Sequence, residues 1–382
     1  SRGLGDVYKR QLLFNISGVC YKRTGQLEMA VKSFEKAVLI KPDFADAYYN
    51  LGLTLQELNQ ILASIESYKK ALVIQPNYAE VHNNLGIAQK EIGKIDDAVK
   101  SYKKALTIKI DYAEAHNNLG NALHELGELD EAIKHYHKVI GMQPNNAEVH
   151  HNLGNVLNEL GQTDEAVKSY KKTLSIEPNF IDAHNNLGNI YKELGQTDEA
   201  IKNYEVALTI NPEYAEAHNN LGNVLKDLNQ FNKAVLCYQK ALTINPNYDD
   251  AHYNLGVCHH ELGQTDEALN CYKKTLAINP NFADAHNNLG NILKELGQTD
   301  EAFNCYVQAL AASPNNAQIH RNFGMMKHYK EGDTQLSHMQ SLLSTNNLSN
   351  SDRSNLCFAL AKAYDCLLYT SDAADDLLCV DL

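Results

Sequence analysis

Eight of the sixteen histidines recur at one fixed interval: His82, His116, His150, His184, His218, His252, His286 and His320. Imidazole is the commonest metal ligand and a frequent general base, so the row raises metal or acid–base chemistry. A metal ion needs its ligands within a few ångströms of one point. One histidine per 34 residues spreads them over separate elements instead, about 8–10 Å apart even between directly packed helices. His259–His260 and His135-x-His137 have poor spacing too, because a helix brings i and i+4 to one face. The row therefore reads as packing, and no metal site is expected. Cys237, Cys271 and Cys305 share the interval, and neighbours are expected beyond the ~7 Å Cα limit for a disulfide. Free thiols without a framework suit a reducing, cytoplasmic compartment. P-loop, HExxH, GxSxG and CxxC motifs are absent, and no glycine-rich phosphate loop opens a helix. No catalytic residue and no cofactor is expected.

What remains is a concentration of carboxamides. The heptapeptide AHNNLGN occurs at 115–121, 183–189, 217–223 and 285–291. Asn costs a helix interior roughly 0.6–0.7 kcal/mol relative to Ala, and Gly about 1 kcal/mol. Such a repeated cost asks for a reason.

The elements that must position these residues follow from the same interval. All eight prolines (Pro42, Pro76, Pro144, Pro178, Pro212, Pro246, Pro280, Pro314) share one phase, with Ile110 the only break. Glycines step from Gly18 and Gly52 to Gly324, and an aromatic column runs from Phe34 and Tyr68 to Tyr306. A strict period of 34 residues means stacked helix pairs. In the unit 283–316, Ala285, Leu289, Ile292 and Leu296 form one apolar stripe of a first helix. Asn281 and Asp284 resemble a capping box before it. Gly297 sits where a left-handed C-cap is needed, and its column holds only Gly or Asn (Asn59, Asn229). Thr299 is the expected N-cap of the second helix, with Asp300 and Glu301 at the positive end of its dipole. Ala302, Tyr306 and Ala309 form its packing face. Small Gly290 and Ala302 allow close approach, with Tyr306 filling the space between repeats.

This Leu–Gly…Ala…Tyr…Ala…Pro pattern resembles the tetratricopeptide repeat (TPR). The resemblance implies an all-α solenoid, a right-handed superhelix of antiparallel helix pairs. Nine repeats are expected over 12–316, and the first helix of a degenerate tenth over 317–330. A pentatricopeptide reading fails on period and on charge. The departures are Thr173 and Thr275 in place of the late Ala, Ile110 for Pro, and no Trp at the fourth position.

Counting positions from the start of each first helix, with Ala283 as position 1, position 6 is Asn in nine successive copies: Asn50, Asn84, Asn118, Asn152, Asn186, Asn220, Asn254, Asn288 and Asn322. Position 5 is mixed, with Tyr49, His151, Tyr253 and Arg321 interrupting Asn83, Asn117, Asn185, Asn219 and Asn287. Position 9 carries Asn121, Asn155, Asn189, Asn223 and Asn291, interrupted by Leu53, Ile87 and Val257. Position 2 is acidic from Asp46 to Asp284. Carboxamides offer a donor and an acceptor, the complement of a peptide unit. The position-6 column is similar to the one in the TPR arm of O-GlcNAc transferase, where the matching Asn residues contact the backbone of protein substrates. That resemblance implies a peptide-binding site made of the nine position-6 residues, with Asn117, Asn185, Asn219, Asn121, Asn155, Asn189 and Asn223 beside them. The competing reading is an incidental polar face, copied by duplication as GQTDEA is at 161–166, 195–200, 263–268 and 297–302, or bonded between neighbouring repeats.

The expected partner is protein or peptide, and the expected role is a non-catalytic interaction scaffold. The net charge of −13 disfavours phosphate backbones and anionic membranes, and no apolar run approaches the ~20 residues that span a bilayer. Both ends read as translated sequencing-library adapters. Residues 1–11, SRGLGDVYKRQ, match one transposase adapter codon for codon, and 366–382 fit the reverse complement of the other followed by flow-cell sequence. With those ends set aside, 12–365 carries −11. Residues 331–365 leave the 34-residue phase. Helices near 333–343 and from Ser351, with a loop at 344–350, read either as a cap on the solenoid or as a spacer. MQSLL…LSNSDRSNLCFALAKAY resembles the segment that joins TPRs to sulfotransferase domains in bacterial proteins. On that alternative, the chain is the substrate-recognition arm of a sulfotransferase or an O-GlcNAc-type glycosyltransferase.

Overall fold

The computed structural model describes residues 2–330, 332–345 and 348–378, with side chains from 10 to 368; Ser1 and 379–382 of the terminal segments lie outside the described residues. Among the described residues the chain is all-α. It divides into two compact units, Ser1–Ile190 and Tyr191–Leu382. The first contains α1 (Arg2–Arg23), α2 (Leu27–Ile40), α3 (Ala45–Glu57), α4 (Ile61–Ile74), α5 (Ala79–Glu91), α6 (Ile95–Ile108), α7 (Ala113–Glu125), α8 (Leu129–Met142), α9 (Ala147–Glu159) and α10 (Thr163–Ile176). The boundary falls within α11 (Ile181–Glu193). The second contains α12 (Thr197–Ile210), α13 (Ala215–Asp227), α14 (Phe231–Ile244), α15 (Asp249–Glu261), α16 (Thr265–Ile278), α17 (Ala283–Glu295), α18 (Thr299–Ala312), α19 (Ala317–Gly324), α20 (Thr334–Leu343) and α21 (Asn350–Leu378).

Odd-numbered helices up to α19 are the first helices of the repeats, and even-numbered ones up to α18 the second. Each pair closes on its glycine. A Cβ on Gly120 would lie 2.7 Å from the Tyr136 ring, and one on Gly154 2.7 Å from that of Tyr170. Those rings are almost fully buried. The helix interior thus tolerates glycine because only a bare backbone admits the aromatic ring. Within the first unit, successive first helices approach one another (α1 to α3, α3 to α5, α5 to α7, α7 to α9), while successive second helices stand further apart. The unit therefore bends with its first helices on the inner side. In the second unit α13 meets α15 and α17 meets α19 in the same way.

The turn between paired helices is set by backbone. Gly297 has φ +77°, and Asn59 and Asn229 adopt φ 58° and 57° in the same column. Gln298 N–H returns to the Leu293 carbonyl at 2.9 Å and Gly297 N–H to that of Lys294 at 3.1 Å, which is a Schellman motif. This geometry corrects one expectation. Gln298, not Thr299, is the N-cap of α18, and no side chain caps it. The capping box at α17 is also absent: Phe282 is the N-cap, without a side-chain bond, and Asn281 N–H is taken by Asn279 Oδ1 at 3.2 Å.

The histidine row turns out to staple these junctions. In all eight copies Nε2 lies 2.7–3.0 Å from the carbonyl oxygen six residues earlier. Where proline is missing the contact persists, from His116 to Ile110. It ties the first turn of each first helix to the loop that enters it, and it needs Nε2 protonated.

At the end of the second unit α19 stops at Gly324, short of the expected 330. The chain then turns, and Tyr329 (2 % exposed) packs where a second-helix tyrosine packs elsewhere, its hydroxyl 3.2 Å from where a Gly324 Cβ would lie. Leu336 and Met339 of α20 join Leu356, Ala359, Leu360 and Ala363 of α21 and Ala317 in one apolar cluster.

One buried pair predicts pH dependence. His116 Nδ1 and His135 Nδ1 are 2.8 Å apart. His116 donates from Nε2 to Ile110, so its Nδ1 accepts and His135 donates. Burial, then the neighbouring His116, push His135 down to about 4 against the opposing pull of Glu131, with Lys138 and Lys103 lowering it further. His116 is also lowered, by burial first, with the Ile110 bond and Asp111 opposing and Lys138 assisting. A histidine neutral in the folded chain and charged in the unfolded one destabilises as pH falls. Stability should be flat above about pH 6.5 and fall from there toward about 4. His82, His218, His252 and His320 are lowered as well and act with the same sign. Melting temperatures across this range should show a shallower slope in His135→Ser, the residue found at Ser101 and Ser169 in that column; an unchanged slope would remove the pair from the account.

Candidate functional site

The apolar stripe of each first helix turns its Leu and Gly inward, which brings position 6 to the edge of the inner face. There the carboxamides form a ladder. Asn50 Nδ2 donates to Asn15 Oδ1 (3.1 Å), Asn84 to the Tyr49 hydroxyl (3.0 Å), and Asn118 to Asn83 Oδ1 (3.1 Å). Asn186 Nδ2 lies 3.2 Å from His151 Nε2, Asn288 donates to the Tyr253 hydroxyl (3.2 Å), and Asn322 to Asn287 Oδ1 (2.9 Å). In each case position 6 bonds position 5 of the preceding repeat. The rule holds in these six copies; Asn152 bonds Asn121 of position 9 instead, and the position-5 oxygens of Asn117 and Asn219 are left unmet among the described residues. Asn, Tyr and His all offer an acceptor, while the donor must come from a short, constant side chain.

The ladder narrows the expected site. Asn185 and Asn219 are 1 % and 4 % exposed, so they serve the interior rather than an open face. Asn117 is half-buried, its oxygen enclosed and without a donor among the described residues. Position 9 is the column most engaged within the fold. Asn121, Asn155 and Asn223 accept from the buried hydroxyls of Tyr136 (2.8 Å), Tyr170 (2.7 Å) and Tyr238 (2.8 Å). Asn121 and Asn155 also accept from Asn152 (3.2 Å) and Asn186 (3.0 Å). Their oxygens are spent on the fold. Asn291 does the same for Tyr306 (2.8 Å), and Asn189 is half-buried in the same column. Among position-6 residues, Asn322 is nearly buried, and Asn254 accepts from Lys226 Nζ at 2.9 Å and is nearly buried too.

Asn50 and Asn118 keep the most capacity. Each is half-buried, spends one N–H on the ladder, and retains a second N–H and its carbonyl oxygen. Asn84 adds only a long contact from Asn83 (3.4 Å). Asn220 is half-buried at the equivalent place in α13.

Aromatic rings border the same face. Tyr49 packs on Tyr78 with centroids 5.3 Å apart, His151 on Phe180 at 4.8 Å, and Tyr253 on Phe282 at 4.9 Å. Further along the first helices, cross-repeat ion pairs join Lys22 to Glu57 (2.9 Å) and Lys90 to Glu125 (3.3 Å), and His124 Nε2 hydrogen-bonds Glu159 Oε2 (2.8 Å). Exposed pairs of this kind contribute about 0–1 kcal/mol each, so they guide register more than stability. Sequence reasoning raised the ladder only as the competing reading, bonding between neighbouring repeats, and missed the tyrosine–position 9 bonds and the histidine staples. All three were present as fixed offsets between columns.

The TPR repeat family model matches eight consecutive windows, 20–59, 55–93, 90–127, 120–161, 154–195, 188–228, 222–263 and 258–297, and the tetratricopeptide repeat model matches 283–316. The chain belongs to the tetratricopeptide repeat family. Among solved structures, this TPR chain is similar to the APC/C hetero-tetramer Cut9–Hcn1 (15 % identity, 83 % of this chain and 76 % of that one, TM-score 0.54). It is also similar to a tetratricopeptide repeat protein from Parabacteroides merdae (18 % identity, 65 % and 98 % covered, TM-score 0.53). Both likenesses show the fold. YrrB, described as a TPR protein with an unusual peptide-binding site, aligns at 27 % identity over 47 % of this chain and 92 % of its own, with TM-score 0.40. No curated protein matches the chain. TPR repeats support a protein-interaction scaffold and are typically non-catalytic. Among the described residues, no group of three His, Cys, Asp or Glu could hold a metal ion, and no helix is long and apolar enough to cross a membrane.

Proposed function

We propose that this TPR chain is a non-catalytic scaffold that holds extended peptide segments of partner proteins along its first-helix face. Main-chain contacts fall to position 6: Asn50, Asn84, Asn118, Asn152 and Asn186 in the first unit, and Asn220 and Asn288 in the second. The observation that carries the reading is the capacity left on Asn50 and Asn118. The ladder fixes each carboxamide through one N–H and leaves the other N–H and the oxygen, a donor and acceptor that match a peptide C=O and N–H. A side chain already fixed loses little rotamer freedom on binding, and such preorganisation favours affinity.

The test is the Asn50→Ala/Asn118→Ala variant, probed with peptides selected from a display library on the intact chain. Affinity should fall by about tenfold, the scale of two lost net hydrogen bonds, with the helical signal and melting curve largely kept. The Asn83→Leu variant breaks the ladder from its other side and leaves both carboxamides in place, so it separates loosened structure from lost contact. Undiminished affinity in the double variant would refute the reading.

A further inference from the structure

The irregular column, position 5, is irregular with a rule. Its non-asparagine aromatic members Tyr49, His151 and Tyr253 stand in every third repeat, and each packs on the aromatic residue that precedes the next first helix, Tyr78, Phe180 or Phe282. Position 2 carboxylates flank each pair on both sides: Asp46 and Glu80, Glu148 and Asp182, Asp250 and Asp284. Five of these six are exposed, and Glu80 is half-buried. Resting on the reading that the first-helix face holds extended peptides, we infer that these three stations select a basic partner, each seating an arginine or lysine side chain on its aromatic pair between the carboxylates.

Three observations converge on a cation. The rings are half-buried, so part of each is open to solvent, and a neutral ring face attracts a guanidinium or ammonium. Tyr78 donates to Asp46 at 3.1 Å, and Lys109 Nζ lies 3.5 Å from Glu80. Among the described residues, Asp46, Glu148, Asp250 and Asp284 form no ion pair. Beside the third station, Asn219 (4 % exposed) bonds the Tyr248 hydroxyl, which has Glu216 and Asp250 among its neighbours, and its own enclosed carbonyl oxygen has no donor among the described residues. A buried acceptor left unmet calls for an N–H donor, which a guanidinium or ammonium supplies. Burial and the adjoining Asp249 also hold the Asp250 carboxyl above the usual carboxylate range, a cost that an arriving cation relieves.

The test uses the full chain and three peptides of equal length, one of Arg, Ser and Gly, one of Gln, Ser and Gly, and one of Asp, Ser and Gly, with binding read by fluorescence anisotropy. The arginine peptide should bind about tenfold or more tighter than the neutral one, and the acidic peptide weakest. Asp250→Asn/Asp284→Asn should weaken the arginine peptide by about fivefold, and adding Tyr253→Asn should take the loss to about twentyfold. Asparagine is what this column holds in the adjoining repeats (Asn219, Asn287), and it keeps an acceptor for Asn288. Asp164→Asn/Asp198→Asn, exposed residues at the starts of second helices, removes the same charge elsewhere and should change affinity less than about twofold. Equal losses in both charge variants would reduce the effect to net acidity and overturn the stations. Equal binding of the arginine and neutral peptides would overturn the inference and leave the main-chain reading standing. If none of the three peptides binds, the main-chain reading falls and the inference falls with it.

Discussion

Gly86→Ala is expected to destabilise its repeat by about 2 kcal/mol, although alanine is the better helix former. A Cβ at Gly86 would stand 2.5, 2.7 and 2.9 Å from Cε1, Cδ1 and Cζ of Tyr102. That ring is 1 % exposed and packed within the helix pair. Overpacking of this kind costs about 1–3 kcal/mol, and an approach to 2.5 Å at three ring atoms belongs at or above the top of that range. Helix propensity returns about 1 kcal/mol. Gly127→Ala is the control. Its Cβ would meet nothing within 4 Å, but its φ of +75° imposes strain, about 1–2 kcal/mol. The two variants differ in locality. Gly86→Ala separates α5 from α6 and should lower hydrogen-exchange protection in both helices, because stability in a solenoid is held by nearest neighbours. Gly127→Ala should act only at the α7–α8 turn. In Gly86→Ala/Tyr102→Leu the clash is relieved, and the measured coupling should be at least about 1 kcal/mol. Additive losses would show that the glycine is retained for another reason.

These contacts also show how far the sequence can be read. The columns of Gly, Tyr, Ala and Pro define helix pairs because each has a single physical use, and Gly290 beneath Tyr306 follows from residue size alone. Asn59 and Asn229 could be placed in the left-handed region because only Gly and Asn shared their column. The carboxamides are different. An amide bonds equally well to a guest chain, to the next repeat or to a buried phenol, and the choice depends on side-chain distances that no periodicity contains. Position 9 illustrates this. Asn155 and Asn186 share an apparent surface in projection, yet a tyrosine hydroxyl reaches the first from the second helix and turns it inward. The histidine staples were hidden for a similar reason, since their partner is a backbone carbonyl and leaves no mark on composition. Tyr329 departs from the period altogether, and only packing onto Gly324 shows that it fills the site of the missing column member.

Asn155→Ala should therefore act on stability and not on partner binding, with an expected loss of about 3 kcal/mol. The Asn155 oxygen accepts from Tyr170 at 2.7 Å and from Asn186 at 3.0 Å. Tyr170 is 1 % exposed, so its hydroxyl has little access to water once the acceptor is gone. Leaving a buried donor unmet costs about 1–3 kcal/mol, and the second bond adds about 1 kcal/mol. Tyr170→Phe removes the donor instead. Alone it should cost about 1 kcal/mol, and in the Asn155→Ala background it should cost little, because the unmet hydroxyl is removed. The same hydroxyl is contacted by Asn186 Nδ2 at 3.5 Å, a donor that cannot replace the lost acceptor. A urea-denaturation cycle of the two single variants and the double measures the coupling, expected at about 1–2 kcal/mol. Peptide affinity measured below the unfolding transition should change less than about twofold, because the amide has no spare acceptor to offer a guest. A stability loss below about 0.5 kcal/mol, paired with a large loss of affinity, would reverse the assignment and return position 9 to the binding face.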